Sequence, residues 1–171
     1  MNRALWGVVA CALLGGCSLI LDFNDPGGGG GGIDAMPADA GPVGDGGDPC
    51  SAYEPNNSLS TAYPIEAGTY SPVGVCPSGD RDFYSFAVDG AQDVVIDALF
   101  TNGQGMDLEM RLYNDQGMVI ARSETFTDNE EIVQSSATNT LLPAGTYSVE
   151  IFGFNNVDAN DYQLVLTLTT P

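Results

Sequence analysis

The sequence predicts an all-β fold: a two-sheet antiparallel β-sandwich of about seven to nine strands occupying residues 50–171. Three observations lead there. After Cys50 the chain falls into short runs rich in Val, Ile, Tyr, Phe and Thr. Gly, Asn and Asp turn signals separate these runs. No stretch carries the apolar period of an amphipathic helix.

The strand candidates, in order, are Phe83 to Val88, Val94 to Phe100, Leu108 to Tyr113, Met118 to Ser123, Ile132 to Ala137, Thr146 to Phe152 and Tyr162 to Thr169. Two of them fix the core face by their alternation. Tyr147, Val149 and Ile151 alternate with Thr146, Ser148 and Glu150, and Tyr162, Leu164, Leu166 and Leu168 alternate with Gln163, Val165 and Thr167. Leu108, Met110 and Leu112 likewise oppose Glu109, Arg111 and Tyr113, so Asp107 and Glu109 are expected on the solvent side. Asn114-Asp115-Gln116-Gly117 is a hairpin signal, with Gly117 free to take a positive φ.

Upstream of the sandwich the chain reads differently. Arg3 is the only charge before the apolar run Ala4 to Leu14, which small residues follow, as in a secretory signal. The run is shorter than the roughly 20 apolar residues that cross a bilayer. Leu14-Gly15-Gly16-Cys17 resembles the lipobox of bacterial lipoproteins. That resemblance implies a signal peptide at 1–16, cleavage before Cys17, and diacylglycerol and fatty acyl groups on Cys17. Ser18, rather than Asp, after the cysteine implies sorting to an outer membrane. Residues 17–49 form a Gly/Asp/Pro-rich flexible linker that includes Gly27 to Gly32 and has too few large apolar residues for a core. Treated as a Gly-rich coil, it reaches about 30 Å.

Charge and cysteines narrow the function classes. The 23 acidic residues face four arginines (Arg3, Arg81, Arg111, Arg122) and neither lysine nor histidine, a formal net charge of −19. Such a chain repels nucleic acid phosphates and anionic headgroups, while acidity keeps an exported domain soluble and attracts cations. With Cys11 in the signal and Cys17 lipidated, Cys50 and Cys76 remain as a pair in an oxidising compartment. A disulfide is expected, because a metal pair needs further Cys or His ligands that are missing. The absence of histidine removes the usual general base and triad partner. Carboxylate pairs such as Asp107 with Glu109 or Glu130 with Glu131 arise by chance in so acidic a chain, and no enzyme activity is expected. Phe100, Tyr113, Phe126, Phe152 and Phe154 are expected on exposed faces and loops, where they would grip a peptide or sugar or be partly buried at sheet edges.

Several segments together resemble the bacterial pre-peptidase C-terminal domain. They are Glu54-Pro55-Asn56-Asn57-Ser58, Asp80-Arg81-Asp82-Phe83-Tyr84-Ser85-Phe86, Met106 to Tyr113, Gly117, Leu142 to Tyr147 and Asp161-Tyr162-Gln163-Leu164, and the resemblance spans about residues 51–170. It implies a jelly-roll-like sandwich similar to the collagen-binding modules of bacterial collagenases, here without an attached peptidase. Carried across residue by residue, it makes Glu54, Asn56, Asn57, Asp80 and Asp82 candidate calcium ligands. Calcium takes six to eight hard oxygens, a shell these side chains nearly fill. Turn hydrogen bonds and loop caps are the other reading of the same residues. Ala52 departs from the collagenase pattern, which tends to place an acid there. The expected function is a non-catalytic, lipid-tethered envelope module binding extracellular protein or polysaccharide, with a structural or assembly accessory as the alternative.

Overall fold

The computed structural model describes residues 47–171. The signal segment, Cys17 and the linker up to residue 46 lie outside the described residues.

Nine strands build the described residues: β1 (Tyr63–Pro64), β2 (Gly68–Val75), β3 (Arg81–Val88), β4 (Asp93–Leu99), β5 (Leu108–Tyr113), β6 (Val119–Ser123), β7 (Glu130–Gln134), β8 (Gly145–Gly153) and β9 (Asn160–Thr169). They form a five-stranded sheet in the order β1-β3-β8-β5-β6 and a four-stranded sheet in the order β2-β9-β4-β7. Every neighbouring pair is antiparallel except β1 with β3. The all-β sandwich expected from the sequence is the fold observed.

The expected alternation sets the core. Tyr147, Val149 and Ile151 of β8, Leu108, Met110 and Leu112 of β5, and Tyr162, Leu164 and Leu166 of β9 are all buried in one cluster, with Leu168 packed at its margin. Each such side chain stabilises the fold by about 1.5–3 kcal/mol. Truncating Leu112 to alanine would therefore cost about 2–5 kcal/mol. Gly117 takes φ 70° in the hairpin between β5 and β6, as its turn requires.

Three sequence expectations need correction. The strand expected at Ile132 to Ala137 runs over Glu130–Gln134 instead. The 135–140 segment is taken into a turn, where Ser135 N–H donates to Thr138 Oγ1 at 3.2 Å and Ser136 N–H donates to Asp93 Oδ1 at 2.7 Å. The two-residue β1 and the longer β2 are not among the expected strands; β2 contains Pro72, which lacks the N–H that a strand interior uses. The sheet absorbs it in an irregularity between Tyr70 and Val73. Asp107 and Glu109 are buried rather than solvated. Asp107 is enclosed by hydrogen bonds: its Oδ1 accepts from Asn102 Nδ2 at 3.2 Å and its N–H donates to Asp158 Oδ2 at 3.0 Å. Glu109 does lie on the outer side of β5, but Arg111 and Phe152 line the same patch and cover that face.

The aromatics divide in the same way. Phe100 and Phe152 are buried, Tyr113 and Phe154 are half-buried, and Phe126 is 74% exposed. Phe83 and Phe152 are buried outside the core cluster, on the outer side of the five-stranded sheet.

Candidate metal centre

The candidate ligands come from two segments that covalent and hydrogen bonding draw together. Cys50 and Cys76 are joined in a disulfide with their Cα atoms 5.3 Å apart, tying the chain before β1 to the turn after β2. Asn56 O accepts from Phe83 N–H at 2.9 Å, which hooks the first segment onto β3. In the turn, Asp80 N–H donates to Pro77 O at 3.0 Å, and Asp80 Oδ2 accepts from Cys76 N–H at 3.2 Å. Two residues on, the period-2 alternation of β3 points Asp82 to the core side with Tyr84 and Phe86.

The result is a convergence of carboxylates. Oxygens of Glu54, Asp80 and Asp82 all lie within 4.8 Å of one another. Each acid spends one oxygen on a protein donor: Glu54 Oε2 accepts from Asn56 N–H at 2.8 Å, and Asp82 Oδ2 accepts from Tyr162 O–H at 2.6 Å. The second oxygen of Asp80 faces the Asn57 amide at 2.6 Å. Asn56 is completely buried with its amide against the Asp82 carboxyl, close enough to favour the charged form of that acid, yet neither its Oδ1 nor its Nδ2 makes a hydrogen bond of good geometry. A buried amide in that state costs about 1–3 kcal/mol unless something else satisfies it. Asn57 presents an amide atom 2.6 Å from Asp80 Oδ1 and 3.2 Å from Arg81 O. With nitrogen on that side it donates to both.

The electrostatics follow from the packing. Asp82 is 3% exposed, and its carboxyl is pushed from 3.8 up to about 8. Burial is the main cause, the Tyr162 hydrogen bond opposes it, and the charges of Asp80 and Glu54 push the same way as burial. Tyr84 and Tyr162, whose hydroxyls are 2.9 Å apart, are held well above the usual phenol range, chiefly by burial. The chain from Tyr84 through Tyr162 to Asp82 thus links the core to the acidic cluster.

All five side chains named from the sequence meet at this one end of the sandwich. The Tyr162 partner of Asp82 was missed. The alternation in β9 places Tyr162 in the core, but nothing in the sequence says whose carboxyl its hydroxyl reaches. The three converging carboxylates are hard oxygen donors of the kind that suit a divalent cation such as calcium.

The model of the bacterial pre-peptidase C-terminal domain family matches residues 80–167, just over half of the chain. Asp80 and Asp82 fall inside that match, whereas Glu54, Asn56 and Asn57 precede it. Among solved structures, the pre-peptidase C-terminal domain of collagenase from Bacillus anthracis is similar at 19% identity and TM-score 0.50, covering 62% of this chain and 94% of that one. The periplasmic inhibitor of g-type lysozyme from Aeromonas hydrophila is similar at 11% identity and TM-score 0.43, covering 63% of this chain and 96% of that one. No curated protein sequence matches the chain. On its family match and its sandwich fold, the chain belongs to the bacterial pre-peptidase C-terminal domain family.

Proposed function

We propose that this protein is a non-catalytic binding module of the cell envelope, lipid-tethered through Cys17 and stiffened by calcium held by Glu54, Asn56, Asn57, Asp80 and Asp82. The observation that carries the calcium reading is the buried, unpartnered Asn56 amide beside three converging carboxylates. Calcium at this position joins the segment before β1 to the start of β3, reinforcing the Cys50 to Cys76 bridge and fixing the entry of the linker into the domain. The absence of histidine and lysine from the whole sequence supports a binding rather than a catalytic role. Extracellular protein or polysaccharide is the partner class, since the charge of −19 disfavours nucleic acid.

Calorimetric titration of the full chain in detergent with calcium chloride tests the site. One calcium per chain is expected, with binding lost in Asp82→Ala and retained in a distant control such as Asp115→Asn. Heats indistinguishable from dilution would return the five residues to turn chemistry. Metabolic labelling with radioactive palmitate tests the tether: incorporation that persists in Cys17→Ala contradicts it.

A further inference from the structure

Besides the Asn56 amide, one buried carboxylate has an oxygen without a partner, on the outer side of the five-stranded sheet. Glu109 is 6% exposed, and its Oε2 has no hydrogen-bond donor among the described residues. Its side chain is nearly covered but still lines a pocket of about 280 Å³ on the outer face of the five-stranded sheet. Arg81, Arg111, Phe152, Phe154 and Asn155 line the same pocket. Its size is near the roughly 300 Å³ lower bound of small-molecule sites, which suits one small ring better than a folded surface.

The lining chemistry excludes most ligand classes. Arg81 is already paired with Glu150, and Arg111 with Glu124 at 2.6 Å, so no uncompensated positive charge awaits an anion. Both guanidiniums also lie against the Phe152 ring, at 5.2 and 4.3 Å from its centroid, where they would repel an ammonium or guanidinium ligand. What remains favours a neutral ligand rich in hydroxyls. The Glu109 carboxyl at the pocket wall has an oxygen with no protein donor, and a carboxyl can exchange hydrogen bonds with a hydroxyl in either protonation state. Arg81 spends two of its five N–H donors on Glu150 and Asn156, and Arg111 spends its Nε–H on Glu124, so both keep donors for hydroxyl oxygens. Phe154 stands at the pocket wall in edge-to-face contact with Phe126 at 5.1 Å, and Phe126 is the most exposed large apolar side chain among the described residues. That pair offers an apolar platform to the C–H face of a ring, beside the polar groups that would orient it. Asn155 and Asn156 both take left-handed φ, 52° and 57°, and so hold the turn that carries Phe154 at the rim.

We infer that this pocket binds a neutral saccharide unit, with Glu109 and Arg111 hydrogen-bonding its hydroxyls and the Phe154–Phe126 pair packing against its ring. The inference rests on the reading of the chain as a binding module and gives that module a site and a ligand class.

The test is affinity electrophoresis and calorimetry of the full chain in detergent against neutral gluco-, manno- and galacto-oligosaccharides, with a triple-helical collagen-like peptide in parallel. Saturable binding of at least one neutral oligosaccharide is expected. Glu109→Gln should weaken it at least tenfold. Phe126→Ala should weaken it several-fold, and because Phe126 is exposed this variant keeps the test valid should Glu109→Gln fail to fold. Peptide binding without oligosaccharide binding overturns the saccharide assignment and leaves the binding-module reading standing. Binding of neither probe overturns the saccharide site and counts against the module as well. Oligosaccharide binding indifferent to both substitutions places the site elsewhere and overturns the pocket.

Discussion

Glu150 and Asp82 are both buried carboxylates at the five-stranded sheet, and the protein treats them in opposite ways. Glu150, on the outward side of β8, is completely buried but receives Arg81 and the Tyr113 hydroxyl, the latter at 2.6 Å. Its charge is answered by the chain itself. Asp82, on the inward side of β3, has one tyrosine donor and two further acids for neighbours. No protein cation lies among its hydrogen-bond partners. In a domain with three arginines, spending them on the outer face leaves the acidic end dependent on a proton or a metal. The contrast explains why one buried acid is structural and the other is a candidate ligand.

Breaking the covalent tie is expected to have the largest effect. Replacing Cys50 and Cys76 by serine frees the segment that carries Glu54 and Asn56, and in the chain-entropy model it costs about 3.5 kcal/mol for a 26-residue separation. Chemical denaturation should show that loss, together with weaker calcium binding if the two segments are held in register by the bridge. Next comes Glu150→Ala, which strands the Arg81 and Tyr113 donors. Because Arg81 is about one-third exposed, the expected loss is about 2–3 kcal/mol, below that of a fully buried pair. That loss should be the same with and without calcium, whereas losses at Asp80 and Asp82 should not be.

A smaller effect separates the two acids by pH. The Asp82 carboxyl is raised in the fold from 3.8 to about 8, so folding favours its protonated form. Its contribution to stability is fully present below about pH 4 and is lost as pH rises through about 8. In chelator, denaturation midpoints should therefore fall from pH 5 to pH 8, and Asp82→Asn should flatten that slope. Calcium bound at the proposed site would compete with the same proton, so its apparent affinity should rise over this range, with proton release visible as buffer-dependent heats.

Much of the fold was legible because alternation leaves a plain trace. Tyr147-Val149-Ile151 and Tyr162-Leu164-Leu166 name the core face without ambiguity, and both are buried as expected. β2 was hidden by Pro72, since a proline within a run removes a ladder donor and the compensating irregularity has no sequence signature. The acids Asp107 and Glu109 were misplaced for a different reason. Alternation tells which side of a sheet a residue faces, but not whether neighbouring long side chains then cover that side. Glu54, Asn56, Asn57, Asp80 and Asp82 were legible as a set through family resemblance, while the Tyr162 partner and the orphaned Asn56 amide emerge only from tertiary packing.

The most direct measurement is the thermal unfolding midpoint of the full chain in detergent at pH 7, in chelator and in millimolar calcium, alongside Asp82→Asn. A rise of about 5 °C or more is expected for the parent chain, as binding to the folded state alone requires, and little or no rise for the variant. An unchanged midpoint in the parent, or an equal rise in both, would contradict calcium at the acidic end.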